Sequence, residues 1–333
     1  MKSIQTRARA ATSAFAILAL IAAACEPPIE DGDEIPPQCQ DDIIVNIIGD
    51  DTEEVTRLGS IKLLERRYAS GAATTTVVAA KFGDFSQSTG SSQEGIGLGG
   101  NCIGLTGQPV RSDKHCEYTT ISCEENADCA EGVDCREYDR LVVDGVSIDG
   151  LADGSVALDQ QGVGAYVKAG LSRLFSDSNI DIHVDGAADP HTFVNEDPHL
   201  IGIPAPRFID VTAPDLSGGS SVGREDLFIE WTPGEDPDEI VFIDVVAEHI
   251  SSLSADTKTS VKVSCAAFND GCQTIWDTSL DWMLRPEPGW RLGETITIII
   301  GRRSQMTVDL SEHAPDTELT ATLSAEVYGE MTP

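Results

Sequence analysis

Nine cysteines are the residues best equipped for chemistry in this 333-residue sequence. Cys116, Cys123, Cys129 and Cys135 are spaced C-x6-C-x5-C-x5-C, with Cys102 upstream and Cys39 further back. Zinc sites favour C-x2-4-C knuckles, and this spacing contains none. Between the cysteines lie Glu124-Glu125-Asn126-Ala127-Asp128 and Glu131-Gly132-Val133-Asp134, segments too polar to build a core. Disulfides that stand in for missing apolar burial are therefore the reading for Cys39, Cys102, Cys116, Cys123, Cys129 and Cys135, with their pairing open. Cys265 and Cys272 flank the turn sequence Phe268-Asn269-Asp270-Gly271 and are expected to pair with each other.

Other residue patterns suggest chemistry by spacing alone. His183, His191 and His199 recur every eight residues, and Asp-Pro precedes the last two. Imidazoles beside carboxylates could hold a transition metal if the chain folded back. Asp-Pro is also a turn former, so exposed turn histidines are the preferred reading and no metal or cofactor is assigned. Asp144, Asp149 and Asp153 offer oxygen ligands but lack the dense spacing of a calcium loop. Gly219-Ser220-Ser221-Val222-Gly223 matches G-x-S-x-G, yet a nucleophile elbow needs a helix after the serine, and a strand pattern follows instead. Gly95-Ile96-Gly97-Leu98-Gly99-Gly100 has no surrounding βαβ unit and is read as a glycine loop. Trp276, Trp282 and Trp290 cluster around a proline-rich turn; exposed they would form a platform for sugar rings, buried they would fill a core. No catalytic residues are assigned.

Cys25 belongs to a different pattern. Lys2, Arg7 and Arg9 precede an apolar run from Ala10 to Ala24, broken only by Thr12 and Ser13. Such a run is too short to span a bilayer and suits the core of a signal peptide. Ala22-Ala23-Ala24-Cys25 resembles a bacterial lipobox, in which the cysteine becomes the first mature residue and bears lipid. The third residue before the cysteine is usually leucine in that motif and is Ala22 here. Setting Cys25 aside leaves eight cysteines, which can pair fully. The proline-rich acidic stretch that follows, to residue 41, reads as an extended tether. Glu26 after the cysteine implies, by the same resemblance, the outer membrane of a double-membraned bacterium.

The composition excludes some partners. The chain has 56 Asp plus Glu against 22 Lys plus Arg, a formal charge of −34, and it repels phosphate backbones, so nucleic acid is ruled out. At 41% hydrophobic residues it is still an ordinary globular chain.

The elements that must position these residues are strands. Ile61–Tyr68 and Thr74–Phe82 flank a Ser70-Gly71 turn, and Ile180–Val184 and Leu319–Tyr328 alternate cleanly. Ile240–Ala247 and Glu294–Ile300 read as buried strands; Thr52–Leu64 and Ala165–Leu174 are at most short helices. The fold class is all-β, with two tandem β-sandwich domains divided at Gly202-Ile203-Pro204-Ala205-Pro206. Residues 1–24 are then signal peptide and 25–41 the lipidated cysteine and tether. Residues 42–203 are a first β domain with a stapled insertion at 102–135, and 204–333 a second sandwich. Within the second, Pro206–Val211, Asp226–Pro233 and Ile240–Glu248 resemble the opening strands of a fibronectin type III or immunoglobulin-like sandwich, in which an inward Trp231 plugs the core. Taken whole, the chain resembles acidic, cysteine-bearing lipoproteins of double-membraned bacteria.

The function expected is a non-enzymatic binding or structural role at the envelope. Its partners would be the membrane, through the lipid, and an envelope protein or glycan. The alternatives are a carbohydrate-binding adhesin that uses the tryptophans and, behind it, an exported metal enzyme around the three histidines.

Overall fold

This computed structural model describes residues 56–83, 94–99, 101–106, 114–116, 135–137, 142–187, 199–235, 239–254, 257–309 and 317–333. The signal peptide, Cys25 and the tether lie outside the described residues, as do Cys39, Cys123, Cys129 and His191.

The all-β expectation holds. One open sheet of ten strands organises the molecule. From one edge to the other it runs through β3 (Glu94–Gly99), β4 (Cys102–Thr106), β16 (Lys258–Phe268), β15 (Ile240–Ser251), β18 (Trp290–Asp309), β19 (Thr317–Met331), β1 (Thr56–Tyr68), β2 (Thr75–Phe82), β10 (Ala165–Lys168) and β9 (Asp159–Gly162). Two smaller sheets accompany it. One is ordered β12 (His199–Ile203), β11 (Ile180–Ala187), β7 (Val143–Asp149), β8 (Val156–Ala157); the other is β13 (Val211–Ala213), β14 (Leu227–Trp231), β17 (Cys272–Ile275). β5 (Lys114–Cys116) and β6 (Cys135–Glu137) form a separate ribbon. The single described helix, α1 (Asp277–Leu284), follows β17.

Side-chain alternation explains how the sheets stack. On β19 the odd-numbered Leu319, Ala321, Leu323 and Ala325 are fully buried in a first core, and Val327 and Met331 reach a second one. Because strand side chains repeat every two residues, both cores lie on the same face of β19. β18 behaves alike, with Ile296, Ile298 and Ile300 in the second core and Met306 and Val308 against the first. The four-stranded sheet closes the first core with Val146, Ile148, Ile182 and Val184; the three-stranded sheet closes the second with Ile229 and Trp231. The inward Trp231, 2% exposed, is where its alternation with Ile229 put it.

The ten-stranded sheet takes strands from both sides of the 203/204 boundary. β1 and β19 join in parallel over twelve register pairs, from Thr56↔Thr317 to Tyr68↔Tyr328. β12 ends at that boundary, and the chain then passes to the three-stranded sheet.

Three local expectations change. Thr56–Leu64 is part of β1 and Ala165–Lys168 is β10, so neither supposed helix forms there; their β-branched and aromatic residues fit a pleated sheet. Gly95–Gly99 is edge strand β3 rather than a loop. Helix α1 escaped notice because it is only eight residues long; Asp226 Oδ1 accepts its first N–H at 2.6 Å, and Leu280, Met283 and Leu284 are buried.

Candidate functional site

The structure corrects one cysteine pairing. Cys265 is bonded to Cys102, opposite it in register between β16 and β4, with Cα atoms 4.1 Å apart. Cys272 is disulfide-bonded as well, and not to Cys265. The turn at Asn269–Gly271 misled because it is not a hairpin. It carries the chain from β16 in the large sheet to β17 in the three-stranded one, so the flanking cysteines enter different layers. Cys135 is also disulfide-bonded, and its backbone lies opposite Cys116 in the β5–β6 ribbon.

Two adjoining grooves lie on the face of the ten-stranded sheet opposite the cores. Even-numbered residues of β19 and β1 meet there: Glu326 beside Arg66, and Tyr328 beside Tyr68. Arg66 donates from Nε and Nη2 to Glu326 Oε2 at 3.0 and 2.7 Å. Its guanidinium also lies over the Tyr328 ring, 5.4 Å from the centroid, while Tyr68 meets that ring edge-on at 5.1 Å. Tyr328 separates the two grooves. The larger, about 430 Å³, is lined by Glu248, Lys258, Arg291, Thr297 and Glu330. The smaller, about 280 Å³, is lined by Arg66, Tyr68, Ser70 and the 216–218 loop. Tyr328 donates its hydroxyl to Glu330 at 3.0 Å, and burial together with that carboxylate holds its phenol pKa above the ordinary 10.0. The groove therefore presents aromatic edges, a fixed guanidinium, hydroxyls and carboxylates, a set suited to ligands with both apolar faces and hydroxyl groups.

The expected tryptophan group is dispersed. Trp276 precedes α1, Trp282 packs on the second core from α1, and Trp290 opens β18; each is half-buried, and no ring contact joins any two of them. Ser221 bridges Thr332 in parallel, Val222 is buried, and no helix follows, so the G-x-S-x-G serine is a strand-edge residue. Asp153 accepts from Ser172 N and Oγ at 3.3 Å, whereas Asp149 lies 3.3 Å from His183 Nε2. His183 and His199 are brought together across β11 and β12, with Nδ1 atoms 3.1 Å apart. Among the described residues no three His, Cys, Asp or Glu side chains converge on one point. No helix among them is long and apolar enough to cross a membrane.

The Tyr328 groove was not foreseen. Its signal was present in the alternation of Glu326, Tyr328 and Glu330 on the polar side of an otherwise apolar strand. Only the parallel β1–β19 pairing, however, puts Arg66 and Tyr68 beside them. The chain matches no protein-family model, and no curated protein matches it in sequence.

Proposed function

We propose that this chain is an exported lipoprotein, held in a bacterial outer membrane through lipid on Cys25, with a non-enzymatic binding role at the envelope. The observation that carries the reading is the cysteine placed directly after a basic n-region and an apolar run of signal-peptide length. Several acyl chains on one cysteine hold a protein firmly, whereas a single chain binds only marginally. The immunoglobulin-like reading of the C-terminal half is supported by its strand order. β13 and β14 lie in one sheet, β15 and β16 cross to the other, β17 returns, and β18 and β19 complete the second. That alternation between sheets is the pattern of such sandwiches.

A carbohydrate ligand is the second reading, and one observation favours it: the Tyr68–Tyr328 pair with Arg66 and Glu330 beside it in a groove. In this reading the tyrosines, not the dispersed tryptophans, stack against the sugar.

The test of the anchor is metabolic labelling with a fatty acid. Wild-type protein is expected to take up label and partition with membranes, and Cys25→Ser to lose both together. A serine variant that still sediments with membranes, or an unlabelled wild type, would defeat the proposal. For the groove, cross-linking in intact envelopes should capture a partner or glycan that Tyr328→Ala no longer captures.

A further inference from the structure

We propose that His183 and His199 form a two-imidazole site for a borderline transition-metal dication such as Cu(II) or Zn(II), with Asp149 positioning His183. The site lies on the outer face of the four-stranded sheet and does not depend on the lipid anchor.

The placement follows from the register. Ile182 and Leu200 are paired across β11 and β12 and fully buried in the first core. Their chain neighbours His183 and His199 therefore project to the opposite face, directly across from each other. The rings meet edge-to-face with centroids 4.8 Å apart and Nδ1 atoms 3.1 Å apart. Two neutral imidazoles in this arrangement share at most one proton between those nitrogens.

Asp149 favours the tautomer of His183 that keeps its hydrogen on Nε2. Its Oδ2 stands 3.3 Å from Nε2, at the far side of the ring. A carboxylate there draws the N–H to Nε2 and leaves a lone pair on Nδ1, the carboxylate–histidine arrangement that orients metal-binding imidazoles. His199 can donate Nδ1–H into that lone pair. When its own proton sits on Nε2 instead, it presents a second lone pair. A metal with N–metal bonds of 2.0–2.1 Å joins two nitrogens about 2.9–3.4 Å apart at bond angles between square and tetrahedral. The observed 3.1 Å falls in that range, so the rings need only turn for both lone pairs to meet at the metal.

The surroundings favour a cation. Asp181 and Asp185 share the outward face of β11 with His183, and the whole chain is strongly acidic. With two protein nitrogens and no third ligand converging among the described residues, water completes the coordination. Imidazole donors suit copper and zinc, with copper bound more tightly.

The test is a titration of the full chain with Cu(II) chloride in chelator-treated buffer, read by electron paramagnetic resonance. One Cu(II) per chain is expected, with hyperfine structure from two imidazole nitrogens. His183→Ala and His199→Ala should each weaken binding at least tenfold and leave a one-nitrogen spectrum at that site. Asp149→Asn should weaken binding about 10–100-fold while keeping the two-nitrogen spectrum, because it acts on the orientation and basicity of a ligand. Both histidines are partly exposed, so the variants should fold; Zn(II) should raise the unfolding temperature of wild type and not of the double histidine variant. Equal copper affinity in wild type and the double variant, or a wild-type spectrum without paired nitrogens, overturns the proposal.

Discussion

Two strand pairings, β4–β16 and β1–β19, tie distant parts of the chain into the same sheet. They are held in different ways. Cys102 and Cys265 are 163 residues apart, and Arg66 and Glu326 are 260 apart. Loop-closure entropy grows only with the logarithm of length, so the two closures differ in cost by less than about 1 kcal/mol. Their means of offsetting it differ far more. β1–β19 has twelve register pairs, buried Ile61, Leu63 and Leu323 beneath it, and an Arg66–Glu326 ion pair above. β4–β16 has five register pairs and lies one strand from the sheet edge, covered by glycine-rich β3. The covalent link is placed on the short pairing and is absent from the long one. A buried amide pair supports it, Asn101 Nδ2 donating to Gln273 Oε1 at 2.9 Å and Gln273 Nε2 to Asn101 Oδ1 at 3.2 Å. Both pairings are buried on their core side; the cross-link is on the one that is short and near the sheet edge.

The sharpest way to break this contrast is to remove the link. Cys102→Ser/Cys265→Ser should cost about 2–5 kcal/mol, the range for a disulfide closing a long loop. Amide exchange should rise first in β3 and β4, with β1 and β19 still protected. Equal deprotection of both pairings would show that the disulfide supports the whole sheet and not its edge.

A smaller effect is expected on the uncross-linked side. Glu65 projects from β1 into the first core, 1% exposed, and accepts the N–H groups of Leu174 and Phe175 at 2.7 and 3.0 Å. Glu65→Leu leaves both donors buried without an acceptor, costing about 3 kcal/mol. Urea unfolding should detect the loss, and Glu65→Gln should recover part of it by keeping one oxygen. A neutral Glu65→Leu would mean that the 171–176 loop rearranges to reach water.

The smallest effect is confined to alkaline pH. Burial raises the phenol pKa of Tyr166 and of Tyr328 above 10.0. Above pH 10 the unfolded chain therefore loses these protons before the folded one does. The folded state then holds more protons, and stability falls as pH climbs toward the folded values. Tyr166→Phe/Tyr328→Phe should flatten that decline while leaving its acidic counterpart unchanged. Tyr166→Phe also removes contacts to Val143 N and O at 2.9 and 2.6 Å, so its midpoint is lower at every pH.

Strands with a marked alternation were legible in the sequence, and the inward faces of β11, β14 and β19 follow from it residue by residue. Pairings between remote strands were not, because no local signal on Thr56–Tyr68 names Thr317–Met331 as its neighbour. The candidate groove shared that obscurity, because its aromatic and charged centre joins Arg66 and Tyr68 of β1 to Glu326 and Tyr328 of β19. The Cys265 partner was missed for the same reason: the nearest cysteine in sequence was preferred to one brought close by the sheet. The alternation of Ile180–Val184 puts His183 on the face opposite Ile180, Ile182 and Val184; that His199 lies across from it depends on a register irregularity between Ile180 and Ile182.

The parallel run of β1 beside β19 also has a mechanical consequence. The N-terminal end of β1 and the C-terminal end of β19 lie at opposite ends of the pair, so tension between them acts along the two strands in opposite senses. The twelve register pairs are then loaded in shear and must fail together, not unzip one after another. A load applied between the two ends of the chain would in this way be met by all twelve pairs at once.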